Sequence, residues 1–576
     1  MLSGFPAESV YYLYMPSIVG KRQGNQTYYY LVESARVDGK PRIVSQQYLG
    51  SAAEVMAKLA GAPGGEPVRS QHKSFGDLAA VWSVLERLDV AGVIDAVVPR
   101  YANAGASVGT YIALATANRI VAPCSKLAFG DWWDTTAGPR WVKLRGAVLD
   151  HRQFWKAMDR IDTPDLAVIE AALGARMVAE FGLDLSGLVL DMTNFATYID
   201  SANEKAPVAQ RGKAKQKRTD LRLVGLALVV TRDGGIPLLS HAYPGDRPDV
   251  TQFATVIAEL SARFRALATS VESLTVVYDA GQNSGPNHAV IEASRMGFIG
   301  SLPPSQHPDL LALPAARYQA VDAHRYPGLT CVDTRVSALG VTRRVVLTHS
   351  PSLHAAQTRG FTQTLAKARR KLIDLQATLA RGNTRRERAA VQAEIDKITR
   401  PRWVSQVITT TLTGNTPTEL RLTFHVDTRA RARLEKTQFG KRILFTNHDD
   451  WTVADVVAGY RSQSEVEAGF RQMKDPHVVS FGPMHHWTDS KIRVHVFYCV
   501  LALTIAHLMR READQAGLHL SVRELLDTLA GIGETVLLYH DGGKGRPRAR
   551  RMLTDTNPIQ AQLADLFGIQ RYAPTR

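Results

Sequence analysis

The sequence predicts an α/β protein, and three observations carry that prediction. Apolar runs of strand length, rich in Val and Leu, occur at GLVLDMTNF (187–195), LRLVGLALVVT (221–231), IPLLSHAYP (236–244) and SLTVVYDAG (273–281). Between the last two, residues 249–267 place Phe253, Val256, Ile257, Leu260, Phe264 and Leu267 on one helical face. Far downstream, RILFTN (442–447) is a further buried-strand run, and the amphipathic stretch YRSQSEVEAGFRQMKD (460–475) follows it.

Ahead of this core, residues 1–70 alternate in the strand manner at TYYYLVES and PRIVSQQYL, with a turn signal at Val37-Asp38-Gly39-Lys40. APGGEP (62–67) reads as a linker. Residues 71–181 are helical in pattern, as in LAAVWSVLERLDVAGVIDAVV, and carry Trp82, Trp132, Trp133, Trp141 and Trp155. They suit a small DNA-binding domain and a packed helical layer equally well.

Within the core, Arg232-Asp233-Gly234-Gly235 is a hairpin turn between the second and third runs. The order is therefore strand, hairpin, helix, strand, across 182–302. The rhythm then stops. In 303–440, the strand-like runs RRVVLTHS, QVITTTL and ELRLTFHV are interrupted by a helical pair at about 353–381 and 384–400 with a dense basic surface. Core-like pattern resumes over 441–516, and 517–576 reads as helical with a basic loop, KGRPRARR (544–551). There are no internal repeats.

Charge narrows the partners. Lys plus Arg exceed Asp plus Glu by 70 − 54 = 16 over 576 residues, which favours polyanions, nucleic acid first. Cys124, Cys331 and Cys499 form no CxxC and fit reduced, buried thiols in a cytosolic protein. No signal-peptide pattern opens the chain. VHVFYCVLALTIAHLM (494–509) holds two histidines, is flanked by Arg493 and Arg510, and is short for a bilayer, so a buried core helix is expected and no membrane partner. No Walker A motif or HExxH is present, which leaves NTP-driven and zinc-protease chemistry without support.

Three acids stand out. Asp191 and Asp279 each follow a Val/Leu-rich run, where the ends of sheet strands collect chemistry. The stretch 460–475 has two stripes. Val466, Phe470 and Met473 recur at i, i+4 and i+7 and form a packing face, while Tyr460, Gln463, Glu467 and Lys474 share a second stripe with Arg471 beside it. Converging carboxylates on a basic protein suit divalent metal and phosphodiester chemistry. The plainer reading makes each aspartate a turn or cap residue and Glu467–Arg471 an ordinary helical ion pair.

The signature Tyr-x2-Gln-x3-Glu-x6-Lys at 460–474 resembles the Tyr-x2-Arg-x3-Glu-x6-Lys pattern of bacterial insertion-sequence transposases of the Asp-Asp-Glu type, in the broad insertion-sequence-four group. VLDMTNF is similar to the block carrying that family's first aspartate, and YDAGQNSGPN with FIGSLP (298–303) to the second. The basic loop and hairpin of 212–246, ILFTN, and HHWTDSKIRVHVFYCVLAL (485–503) also resemble family sequence. One position departs: Gln463 stands where the family keeps an arginine, and Arg461 lies about 160° away around the helix.

The resemblance implies an RNase H-like catalytic core. The 467 − 279 = 188 positions between its second and third acids hold a strand-rich insertion domain with a helical hairpin. It implies a transposase that cleaves element ends and joins 3′-OH ends to target DNA. Asp191, Asp279 and Glu467 would be the catalytic, metal-holding residues for two magnesium ions, with manganese able to substitute. Tyr460, Gln463, Arg471 and Lys474 would sit near the phosphates. The tract RGKAKQKR, with Arg211, Lys213, Lys215, Lys217 and Arg218, reads as a DNA clamp, or else as a solvated loop. The expected partners are terminal inverted repeats and target DNA, the expected state on DNA is a homodimer, and the expected location is the cytoplasm at the nucleoid. A nuclease of the same fold without strand transfer, and an inactive DNA-binding descendant, are the competing readings.

Overall fold

In the computed structural model of the chain, the apolar runs join one nine-stranded mixed sheet. The structure describes residues 15–24, 26–37, 40–61, 67–99, 105–144, 149–213, 220–267, 273–382, 385–539 and 548–575. The chain divides into two compact units: Met1–Lys73, Gly533–Thr554 and Ala573–Arg576 in the first, Ser74–Ile532 and Asp555–Tyr572 in the second.

The second unit holds the sheet. Its strands are β1 (Gly187–Thr197), β2 (Arg222–Thr231), β3 (Pro237–Pro244), β4 (Thr275–Val277), β5 (Gly297–Leu302), β6 (Gln319–Ala320), β7 (Thr330–Ala338), β8 (Val341–His349) and β9 (Lys441–Thr446). Their spatial order is β6-β7-β8-β9-β5-β4-β1-β2-β3. β1, β4 and β5 run parallel, and every other neighbouring pair is antiparallel. Gly234 and Gly235 turn the β2–β3 hairpin at φ 82° and 63°, values that cost a residue with a Cβ. β4 and β5 are buried along their whole length, as parallel strands covered on both faces are.

Helix α1 (Asp249–Leu267) covers one face. Alternation along the chain sends Tyr278 toward it, with the Phe253 and Tyr278 ring centroids 5.1 Å apart. Phe298 on β5 and Phe445 on β9, 5.6 Å apart and both fully buried, continue that aromatic layer. Of the segment 303–440, β6, β7 and β8 extend the main sheet. The residues that follow build a separate layer from α3 (Pro351–Ala380), α4 (Arg388–Thr399), the hairpin Ile408–Thr413 with Arg421–Val426, and a helix at Thr428–Gln438; α2 is the short helix Gly285–Ser294 beside α1. That layer has its own core, with Leu365, Leu372 and Leu375 against Val391 and Ile395.

The apolar run at 494–509 lies within α7 (Asp489–Gln515). This helix is long and apolar enough to cross a membrane, yet 94% of its most apolar window is buried inside the fold, as expected of a core helix. The helices Gly76–Arg87 and Val108–Val121 pack on it and are themselves buried nearly throughout. Cys331 and Cys499 are buried and Cys124 half-buried, all as free thiols.

Where this helical layer meets α7, Lys126 is buried with its Nζ over the Tyr498 and Phe154 rings, at 4.6 and 5.3 Å. That Nζ has no hydrogen-bond partner among the described residues. Burial, then the nearby Arg119, lowers its pKa to about 7. A folded pKa below the unfolded one means that the unfolded chain binds the extra proton between about pH 7 and 10.5. Stability therefore falls as pH drops through that window and levels off below it. Lys126→Met is expected to flatten this slope and to raise the melting temperature at pH 7, which thermal scans at pH 7, 8.5 and 9.5 would measure.

The first unit carries an antiparallel three-stranded sheet, Met15–Gln23, Gln26–Val37 and Lys40–Ser51, followed by the helix Ala52–Gly61. A second sheet pairs Arg69–Ser74, Gly533–Tyr539 and Arg548–Leu553. The region beyond residue 517 thus contains paired strands as well as the helices Val522–Ala530 and Pro558–Leu566, rather than helix alone. Glu534 and Val536 alternate inward there, and buried Glu534 receives Arg551 at 2.7 Å.

Candidate active site

The site begins with a register. β1 and β4 pair as Gly187↔Thr275, Leu188↔Val276 and Val189↔Val277. Carried two residues further, the same offset of 88 sets Asp279 opposite Asp191. Asp191 lies within β1 and Asp279 two residues past the end of β4, so the projected register brings them level on the same side of the sheet. The sequence suggested that the first strand ends near Asp191. It does not: β1 runs on to Thr197, because its antiparallel ladder with β2 continues to Thr197↔Arg222 after the short β4 has ended. Asp191 therefore marks the end of the parallel ladder rather than of the strand.

Only Asp279 occupies the turn position of the plainer reading, as the residue that caps Ala280–Gln282 with its carbonyl on the Gln282 amide at 3.1 Å. Asp191 lies mid-strand, half-buried, and its Oδ1 accepts the Met192 amide at 2.7 Å. Asp279 is exposed and precedes the short turn Ala280–Gln282, but its side chain makes no cap hydrogen bond to it.

The stretch 460–475 forms two helices, not one. α5 (Val453–Arg461) ends at Ser462, whose ψ is −9°, and α6 (Gln463–Lys474) starts directly after it. The Ser462 hydroxyl donates to the Gly459 carbonyl at 2.5 Å, the back-bonding that bends a helix. Val466, Gly469, Phe470 and Met473 form the buried face of α6, which lies against β1, β2 and α7. Polar contacts fix it to α7: Arg510 to Glu465 at 3.0 Å, and His507 with Gln472 at 2.8 Å.

The other stripe meets the aspartates. The Tyr460 hydroxyl donates to Asp279 Oδ1 at 3.4 Å. Burial holds the Tyr460 phenol above its ordinary pKa, so it stays a donor at neutral pH. Lys474 Nζ donates to Thr193 Oγ1 at 2.7 Å and lies 5.5 Å from the Phe195 ring. Thr193 and Phe195 share the Asp191 face of β1. Tyr460 and Lys474 thus bracket the two aspartates, and Glu467 lies on the same stripe two turns before Lys474. Glu467 is exposed, and no hydrogen bond or ion pair ties it among the described residues, so the Glu467–Arg471 ion pair of the plainer reading is not formed.

Two aspartates brought level on adjacent interior strands suit magnesium, which takes one or two protein carboxylates plus substrate oxygens. Among the described residues, no group of three or more His, Cys, Asp or Glu side chains is drawn together to hold a metal ion. The projected register brings Asp191 and Asp279 level, and Glu467 lies on the helix packed against β1.

Gln463, at the family's arginine position, opens α6, and its Nε2 is buried without a hydrogen-bond partner among the described residues. Arg471 is exposed. In the basic tract, Arg211 donates to Ser201 Oγ at 2.8 Å, and the Lys213 carbonyl accepts from Asn194 at 3.1 Å, which ties the start of the loop to β1. Lys215, Lys217 and Arg218 lie outside the described residues.

One neighbour was not singled out from the sequence. Arg442 on β9 sits 5.5 Å from the Tyr460 ring and, with Arg461, lines a cleft behind it. The exposed arginine at the head of the buried run ILFT was the available signal. Arg461 lies over the Tyr326 ring at 4.5 Å, on the far side from Glu467, and does not substitute for Gln463.

No family model matches the chain, and no curated protein matches it. Among solved structures it is similar to a piggyBac transposase. That structure is a synaptic complex with hairpin DNA, determined by cryo-EM. It shares 8% identity with this chain, over 80% of this chain and 82% of that one, at a TM-score of 0.37. A likeness of that degree assigns no family.

Proposed function

We propose that this chain is a DNA transposase that cuts at the ends of its own mobile element and joins the freed 3′ ends to target DNA. What supports the reading is that the β1–β4 register, projected past Val277, brings Asp191 and Asp279 level, while Tyr460 bonds Asp279 and Lys474 bonds Thr193, two residues from Asp191. The five strands β3-β2-β1-β4-β5, an antiparallel hairpin pair beside three parallel strands, support reading them as an RNase H-like core.

In this reading Asp191 and Asp279 would hold magnesium with Glu467 as the third carboxylate, and the metal would supply activation of a nucleophilic oxygen and stabilisation of the leaving one. Tyr460 orients Asp279 through its hydroxyl. Lys474, released from Thr193, pairs with a phosphate beside the cut. Arg471 and the tract from Arg211 to Arg218 grip the flanking backbone. Water attacks phosphorus, the bond to the 3′ oxygen breaks, and that oxygen leaves with a proton as a 3′-hydroxyl. The hydroxyl then attacks a target phosphodiester in the same geometry, and no covalent protein–DNA intermediate forms.

Lys474→Met is expected to weaken binding of element-end DNA evenly across sequences and to reduce the slope of log K against log salt by about 1. Titrations between 50 and 200 mM salt would measure this. The reading as a whole is tested by incubating the protein with a labelled element end and a target plasmid. Cleavage and joining are expected; cleavage without joining would favour a nuclease.

A further inference from the structure

The three-stranded sheet of the first unit has a face that the catalytic reading does not use. Its register pairs Val19↔Tyr30, Lys21↔Tyr28 and Gln23↔Gln26 on one side, and Tyr30↔Tyr48 and Val32↔Gln46 on the other. Strand alternation therefore gathers Lys21, Gln26, Tyr28, Tyr30, Gln46 and Tyr48 on one surface. The tyrosines form a group: Tyr48 lies 5.3 Å from Tyr30 and 6.0 Å from Tyr28 by ring centroid. Lys21 Nζ sits 5.0 Å over the Tyr30 ring and donates to Gln46 Oε1 at 2.8 Å. Tyr48 is 53% exposed and Tyr28 and Tyr30 are partly exposed, while Val32 at the far end of this face is buried.

We infer that this face binds single-stranded DNA, with unstacked bases lying on the tyrosines, the amides reaching base edges and Lys21 meeting the phosphate. A small aromatic cluster can also serve only to hold three strands together. The placement of charge argues for a ligand. By the register, Glu33, the carboxylate on the described strand residues, projects from the opposite face. Glu54 of the following helix approaches Tyr48, but its Oε2 is held by the Ser51 amide at 2.7 Å. An exposed sheet that interleaves aromatic rings, amides and a cation offers both stacking and backbone attraction, the two terms that bind single strands with little sequence preference. The identity of the strand as DNA rests on the function proposed above; the stacking surface does not.

The experiment uses the full chain and a fluorescent dT20 oligonucleotide, with a 20-base-pair duplex and rU20 as comparison probes. Tyr48→Ala is expected to weaken dT20 binding about 5- to 20-fold, the effect of losing one stacked base, while duplex binding stays within twofold. Tyr48→Phe keeps the ring and is expected to stay within twofold on all probes. Lys21→Gln should lower dT20 affinity and flatten its salt dependence. Unchanged dT20 binding by Tyr48→Ala would overturn the inference. So would rU20 binding at least tenfold tighter than dT20, or a change in oligomeric state in place of one in DNA affinity. If the wild-type chain cleaves element ends but Tyr48→Ala binds dT20 normally, this inference falls and the proposed function stands. If the tyrosine effect appears and no cleavage is found, the reverse holds.

Discussion

Asp279→Asn and Asp191→Asn are each expected to reduce cleavage of element-end DNA by at least about 1,000-fold, a loss of roughly 4 kcal/mol in transition-state stabilisation, while DNA binding is retained. Both side chains occupy the face that Tyr460 and Lys474 flank. Neither belongs to the apolar core, since Asp279 is exposed and Asp191 half-buried, so the variants should fold. Glu467→Gln is expected to behave likewise. Gel assays of binding and cleavage on the same labelled DNA measure both quantities. Cleavage surviving in either aspartate variant would mean that the register places these residues together for another reason.

The second large effect concerns the scaffold. Phe298→Ala should destabilise the second unit by about 3–5 kcal/mol. Phe298 is fully buried on β5, with Tyr278 at 6.2 Å, His288 at 5.2 Å and Phe445 at 5.6 Å by ring centroid. Deleting the ring opens a cavity under the strand beside the one that leads to Asp279. A lower melting temperature with cleavage recovered on cooling is the expected pattern. Asp279→Asn should show the opposite pattern, an unchanged melting temperature with no cleavage at any temperature, and that contrast separates support of the site from membership in it.

What the sequence made legible is what local patterns control. Val/Leu runs disclosed the strands from β1 to β4, the glycine pair disclosed the hairpin, and period 3.6 disclosed α1 over its observed span, Asp249–Leu267. The polar stripe of 460–474 and the two strand-following aspartates were readable for the same reason. Pairing is not local, and much that was missed depends on it. The extent of β1 past Asp191 is set by its ladder with β2. The adoption of β7 and β8 into the main sheet is set by β9, through pairs from Arg344↔Thr446 to His349↔Lys441. Ser462 breaks the helix by a side-chain bond that hydrophobic periodicity cannot register, since the apolar spacing continues across it. Arg442 became relevant only once β9 lay next to Tyr460. Gln463 shows the limit in the other direction. Its identity was plain, but that its amide is buried and unpartnered is a property of packing.

The most direct test of the central claim is to map the products made by the wild-type chain on DNA carrying the ends of its own element, with magnesium present. The account predicts cuts at fixed end positions that leave 3′-hydroxyl and 5′-phosphate termini, and none with Asp279→Asn. Bound DNA left intact in both magnesium and manganese, or termini bearing a 3′-phosphate, would contradict it.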